Sequence, residues 1–186
     1  MNRLIILLTL LSFSSFGQEK DLNLDKYLWG QNRNFVDSFI KAGQKDFFFV
    51  DRMYPGLVYL KKYDSCRDES FLKFILVKAN NSKKYEFTKY DNCGQTRLTT
   101  DSNALRFFEN NRHQIKADSI DQRFYIDHTV FYSIYEFRDG KLRTYKHFCK
   151  ECVDEDDDQS TKTKNKNLKL YKFLIMLDSE LSELIK

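Results

Sequence analysis

The sequence predicts a single α+β domain, in which an antiparallel sheet (a meander plus an Asp-Gly hairpin) is packed by N-terminal, middle and C-terminal helices. Three observations carry that expectation. Leu170, Leu174, Leu177, Leu181 and Leu184 alternate steps of four and three, the spacing of one apolar helix face. Asp139-Gly140 stands between two runs rich in Phe, Tyr and Ile, and such a pair accepts the positive φ angles of a type I′ hairpin turn. The segments before them are short aromatic and β-branched runs bounded by Gly, Pro and Asn, which is how strands are punctuated.

The chain opens with Arg3, an apolar stretch from Leu4 to Leu11 and the small residues of Ser15-Phe16-Gly17. This pattern is expected to act as a signal peptide over residues 1–17, cut before Gln18, and to send residues 18–186 to the periplasm or outside the cell. The apolar run is well short of the roughly 20 residues that span a bilayer. Later apolar runs, such as those around Phe74 and Leu174, are interrupted by lysines, so no transmembrane segment is expected after cleavage. The charge balance is mild, 31 basic against 27 acidic residues with both signs interspersed. A nucleic-acid partner would call for a strong basic stripe, and none is expected.

The elements follow in order. Leu24, Leu28, Phe35 and Phe39, widened by Val36 and Ile40, predict a first helix over 23–42 that stops at Gly43. Residues 46–51 and 57–63 read as strands around Tyr54-Pro55-Gly56, where Pro fixes φ and Gly permits a positive one. The next two strands flank Asn80-Asn81-Ser82. A two-residue turn at Asn80-Asn81 would pair Phe74 with Phe87 and Leu76 with Tyr85. One face then holds Leu72, Phe74, Leu76, Tyr85 and Phe87.

Capping residues Thr100 to Ser102 and apolar Leu105, Phe108 and Ile115 predict a helix over 102–117. The Asp139-Gly140 hairpin would pair Phe137 with Leu142, Tyr135 with Thr144 and Phe131 with Phe148 on a core face. On a half-exposed face it would pair Glu136 with Arg143, Ile134 with Tyr145 and Tyr132 with His147. Residues 149–167 then read as a charged, mobile connection into the last helix.

Four cysteines remain after the leader, an even number suited to disulfides in an exported protein. Cys66 and Cys93 flank the first predicted hairpin at its open end, with Cys66 facing Gln95, and are expected to pair. Cys149 would then close a four-residue ring with Cys152. A thioredoxin-like role for Cys149-Lys150-Glu151-Cys152 wants an electropositive helix start that stabilises thiolate, whereas Asp154 to Asp158 follow here. Zinc would need a second close pair, and one is missing. Asp154, Asp156 and Asp158 begin like a calcium loop, but Gln159 and Asn165 stand where such a loop needs glycine and glutamate.

Other chemistries find little to build on. There is no Gly-x-Ser-x-Gly elbow, and Gly30, Gly43, Gly56, Gly94 and Gly140 are too scattered to cradle phosphate. No catalytic residue, metal or cofactor is assigned. Seventeen phenylalanines and eleven tyrosines exceed what a core of this size needs. Tyr132, Tyr145, His147 and Arg143 are therefore read as an aromatic binding face, with Tyr90 and Tyr125 as further partly exposed aromatics, for an unknown protein or glycan partner. The expected function is a non-enzymatic exported binding module: an inhibitor, an immunity-type protein or an envelope accessory. A thiol–disulfide protein using Cys149 and Cys152 is the first alternative, and a secreted hydrolase with an unrecognised site the second.

Overall fold

The computed structural model describes residues 21–28, 30–54, 71–79, 84–91, 94–122, 126 and 129–185. The leader 1–17, the Pro55-Gly56 turn with the strand expected at 57–63, the Asn80-Asn81 turn, Cys66, Cys93 and Tyr125 lie outside them.

The elements are α1 (Leu24–Tyr27), α2 (Gly30–Lys41), β1 (Phe47–Met53), β2 (Phe71–Lys78), β3 (Tyr85–Asp91), β4 (Gly94–Thr100), α3 (Asn103–Ala117), β5 (Phe131–Arg138), β6 (Lys141–Cys149), α4 (Lys150–Asp154), α5 (Gln159–Asn167) and α6 (Lys169–Ile185). The six strands form one sheet in the order β4-β3-β2-β1-β5-β6, and every neighbouring pair is antiparallel. The fold is α+β, as the sequence predicts.

β1 is central and is paired on both sides, Phe49 lying between Ile75 and Tyr135. Helices cover both faces of the sheet. One face carries Phe47, Phe49, Ile75, Tyr135, Phe137 and Leu142 under Leu28 and Val36 of the N-terminal segment. The other carries Val50, Leu72, Phe74, Leu76, Tyr85, Phe87 and Ile134 under α3 and α6. All five leucines of the predicted C-terminal stripe are buried there. Among the described residues no helix is long and apolar enough to cross a membrane.

The first helix is two. Leu28 is extended, with φ −139° and ψ 120°, and separates α1 from α2. The expected stop at Gly43 is present. Gly43 has φ 92°, its N–H donates to Ile40 O, and Gln44 N–H donates to Phe39 O, the paired bonds of a Schellman end. The middle helix starts one residue later than expected, because Ser102 is its cap and accepts from Leu105 N–H.

α3 and α6 run antiparallel and cap one another. Glu180 accepts from Ser102 Oγ at 2.5 Å and from Ala104 N–H at 3.0 Å, satisfying donors at the start of α3. Asp118, just past the end of α3, accepts from Leu170 N–H at 3.0 Å at the start of α6.

Three registers differ from expectation. β2 and β3 pair Leu76 with Phe87 and Lys78 with Tyr85, two residues from the predicted alignment. Ala79 N–H donates to Lys84 O at 2.9 Å, so the connection is longer than Asn80-Asn81 alone. An even shift keeps side chains on their faces, and Leu72, Phe74, Leu76, Tyr85 and Phe87 are buried together as predicted. Second, the chain turns back after Asp91 into β4, which pattern reading missed. Gln95 therefore pairs with Tyr90, and Cys66, expected to face it, lies outside the described residues.

Third, the Asp139-Gly140 turn pairs Phe137 with Leu142 as predicted, but Glu136 pairs with Thr144. Arg143 is the extra residue of a β-bulge, and one added residue moves each later side chain of β6 to the opposite face. The expected pairs Tyr135 with Thr144, Phe131 with Phe148, Ile134 with Tyr145 and Tyr132 with His147 become Tyr135 with Tyr145, Phe131 with Cys149, Ile134 with Lys146 and Tyr132 with Phe148.

Where the sequence suggests a connection without regular structure, α4 and α5 stand instead. The acidic run serves them. Asp158 caps α5 by accepting from Ser160 and Thr161 N–H, and Asp154 accepts from Tyr171 Oη at 2.9 Å and Lys166 Nζ at 2.7 Å. Asn165 is buried and exchanges two bonds with the backbone of Asp121, at 2.8 and 3.0 Å.

One half-buried acid bears on stability. Asp51 of β1 is pushed above its ordinary value of 3.8 by burial, opposed by a hydrogen bond from Asn32 and the charge of Lys73. A carboxyl with a raised folded value stabilises the fold only while protonated, and that contribution is lost as pH rises through the folded value. Asp51→Asn is therefore expected to melt higher than the parent at neutral pH, with the gain disappearing below 3.8. Melting curves across that range check it; a lower melting temperature at pH 7 would refute it.

Candidate functional site

The bulge at Arg143 divides the predicted aromatic face. Tyr132 lies under α6, buried in the main core, and its hydroxyl donates to Asp178. Burial, with that hydrogen bond, raises its phenol well above the ordinary range. Tyr145 and His147 are on the opposite face. His147 is exposed, stacks on Phe131 with ring centroids 5.6 Å apart, and lies 3.2 Å from Ser133 Oγ. Tyr145 packs between Tyr135, at 5.0 Å, and Tyr27 of α1, at 4.8 Å. Of the four predicted residues, the structure brings Arg143 and Tyr145 into one cleft and leaves Tyr132 and His147 outside its lining. Tyr90, read as partly exposed, is half-buried and meets Phe35 and Phe39 edge-on.

That cleft runs over the outer edge of β6 and encloses about 230 Å³. Tyr27 closes it from one face of the sheet and Lys116 of α3 from the other, with Thr144 and Lys146 from the strand between. Sequence reading missed Lys116 and Lys146, because nothing in their spacing joins α3 to β6. The ammonium of Lys146 donates to Lys116 O at 3.0 Å and Asp118 O at 2.6 Å, a cation at the carbonyl end of α3. Burial lowers its pKa, partly offset by the Asp118 charge. Lys116 lies 3.6 Å from the buried Glu136 carboxylate, and Arg143 pairs with Asp21.

Cys149 and Cys152 are joined by a disulfide. Cys149 ends β6 and caps α4, accepting from Cys152 N–H at 3.1 Å. The chain thus passes from strand to helix at the motif, where pattern reading expected an irregular exit. Both sulfurs are fully buried against Phe131 and Ile126, which closes them to substrate disulfides unless the end of β6 opens.

The two edges of the sheet are built differently. β6 is blunted by the bulge at Arg143, by Leu22 N–H donating to Leu142 O at 3.0 Å, and by Asp21 bridging Lys141 and Arg143. β4 pairs with β3 alone among the described residues. Six of its seven residues are exposed and the seventh is half-buried, so it contributes no core side chain. Comparison of the chain with protein-family models, curated proteins and solved structures gives no match.

Proposed function

We propose that this chain is a non-enzymatic, exported binding module that takes up an extended strand of a partner protein along the open edge of β4. The carrying observation is β4 itself: a seven-residue strand, exposed on both faces, at an end of the sheet where it pairs with β3 alone among the described residues. Alternate residues of an edge strand turn N–H and C=O groups away from the sheet, a ready template for strand addition. A second copy is a poor occupant. Antiparallel self-pairing centred on Arg97 would set two guanidiniums opposite one another, at a cost in like-charge repulsion. Export rests on the leader of residues 1–17, and the buried Cys149–Cys152 disulfide is in keeping with an oxidising compartment.

A pair of adjacent prolines tests the reading. Neighbouring β4 residues direct their N–H groups to opposite sides, so one of Thr96→Pro and Arg97→Pro removes an inward donor and the other an outward one. The inward variant should lower the melting temperature by weakening the β3 pairing. The outward variant should melt close to the parent yet lose whatever envelope protein the mature parent chain captures. Equal capture by parent and outward variant would refute strand addition.

The thiol–disulfide reading gains from the position of Cys149 at a helix start and loses from the burial of both sulfurs. Insulin reduction above a dithiothreitol background, lost in Cys149→Ser, would favour it.

A further inference from the structure

We propose that the cleft over β6 is a binding site for a small oxyanion, a carboxylate or a phosphate, carried on a single planar ring. Three basic side chains line it, Lys116, Arg143 and Lys146, and among the described residues no acidic one does. The side chains of Lys116 and Arg143 are only 19% and 13% exposed, so these are not solvated surface lysines and arginines. Two of the three positive charges have carboxylates of their own, Glu136 for Lys116 and Asp21 for Arg143.

Lys146 does not share that arrangement. It holds two backbone carbonyls, and among the described residues no carboxylate lies within 4.0 Å of its ammonium. The nearby Asp118 carboxylate is engaged at the start of α6. An ammonium has three N–H donors, and two carbonyls leave one for a ligand. A partly desolvated cation gains most from an anion that reaches it, because the charge-assisted bond forms where water is scarce.

The ring follows from the opposite wall. Tyr27 and Tyr145, with centroids 4.8 Å apart, form an aromatic flank beside the cations. A volume of about 230 Å³ is below the usual range for drug-sized ligands and suits one ring bearing one acid group. Arg143 adds the forked donor geometry that carboxylates and phosphates share.

Titration calorimetry on the mature chain, with inorganic phosphate, benzoate and phenyl phosphate as probes, tests the site. Saturable binding is expected for at least one ring-bearing probe, and the preferred one identifies the acid as carboxylate or phosphate. Lys146→Met should weaken it by about tenfold or more, the loss of one charge-assisted contact. Since Lys146 also ties β6 to the end of α3, Arg143→Gln serves as a second variant and should weaken it comparably. Tyr145→Leu should weaken the ring-bearing probes more than inorganic phosphate. The outward β4 proline variant should bind the probes like the parent, which separates this site from the strand-addition reading. No saturable binding by any probe would overturn the proposal, as would affinities unchanged in both Arg143→Gln and a folded Lys146→Met.

Discussion

Glu136→Ala is expected to destabilise the protein by about 3–5 kcal/mol, the cost of breaking a buried carboxylate cluster and leaving its two half-buried cations without their counter-charge. The Glu136 side chain is only 2% exposed, although it lies on a strand between apolar neighbours. It accepts from Thr144 Oγ1 at 2.5 Å and lies 3.1 Å from Arg112 and 3.6 Å from Lys116, both on α3. Removing the carboxylate leaves two largely covered cations, one turn apart on α3, without a counter-charge beneath them. Glu136→Gln keeps an acceptor for Thr144 and should lose less. Urea unfolding of the three proteins decides it; a Glu136→Ala midpoint within error of the parent would show that the cluster contributes nothing. The sequence reading set Glu136 against Arg143 on a half-exposed face; the bulge puts Thr144 there instead, and α3 packed above supplies the two cations.

Phe49→Ala should cost about 3–5 kcal/mol by the cavity it leaves. Phe49 sits on the central strand with no exposed surface, packed on Phe35 at 5.6 Å and Tyr135 at 5.4 Å. Leu98→Ala, on exposed β4, removes a similar kind of side chain and should stay within about 0.5 kcal/mol of the parent. The contrast reads out how stability is distributed: concentrated around β1, nearly absent at β4. A Leu98→Ala loss approaching that of Phe49→Ala would mean that β4 is packed against something in solution.

Elements that announce themselves locally were legible. The leucine spacing of α6, the Ser102 cap and the Gly43 stop each depend on residues a turn or two apart, and each stands where expected. The even register shift between β2 and β3 did no harm to the face assignment, because the side-chain period is two. β4 was not legible because Gly94–Thr100 buries no apolar side chain, so no periodic pattern marks it. The bulge at Arg143 was not legible either. Nothing in the order Leu142-Arg143-Thr144 signals an extra residue, yet it moves every later side chain of β6 across the sheet. The predicted aromatic face divided at that point, Tyr132 going to the core and Tyr145 to the cleft. Lys116 and Lys146 could not be joined to that cleft from sequence, since the two lysines meet only through tertiary packing.

Residue-resolved amide exchange across β4, free and with a captured partner bound, tests the binding reading most directly. In the free protein the amides of β4 should alternate, those paired with β3 exchanging slowly and those facing outward exchanging fast. Partner binding should slow the fast set and leave the slow set little changed. Uniform protection of all β4 amides in the free protein, or a fast set that stays fast when the partner is bound, would contradict strand addition at this edge.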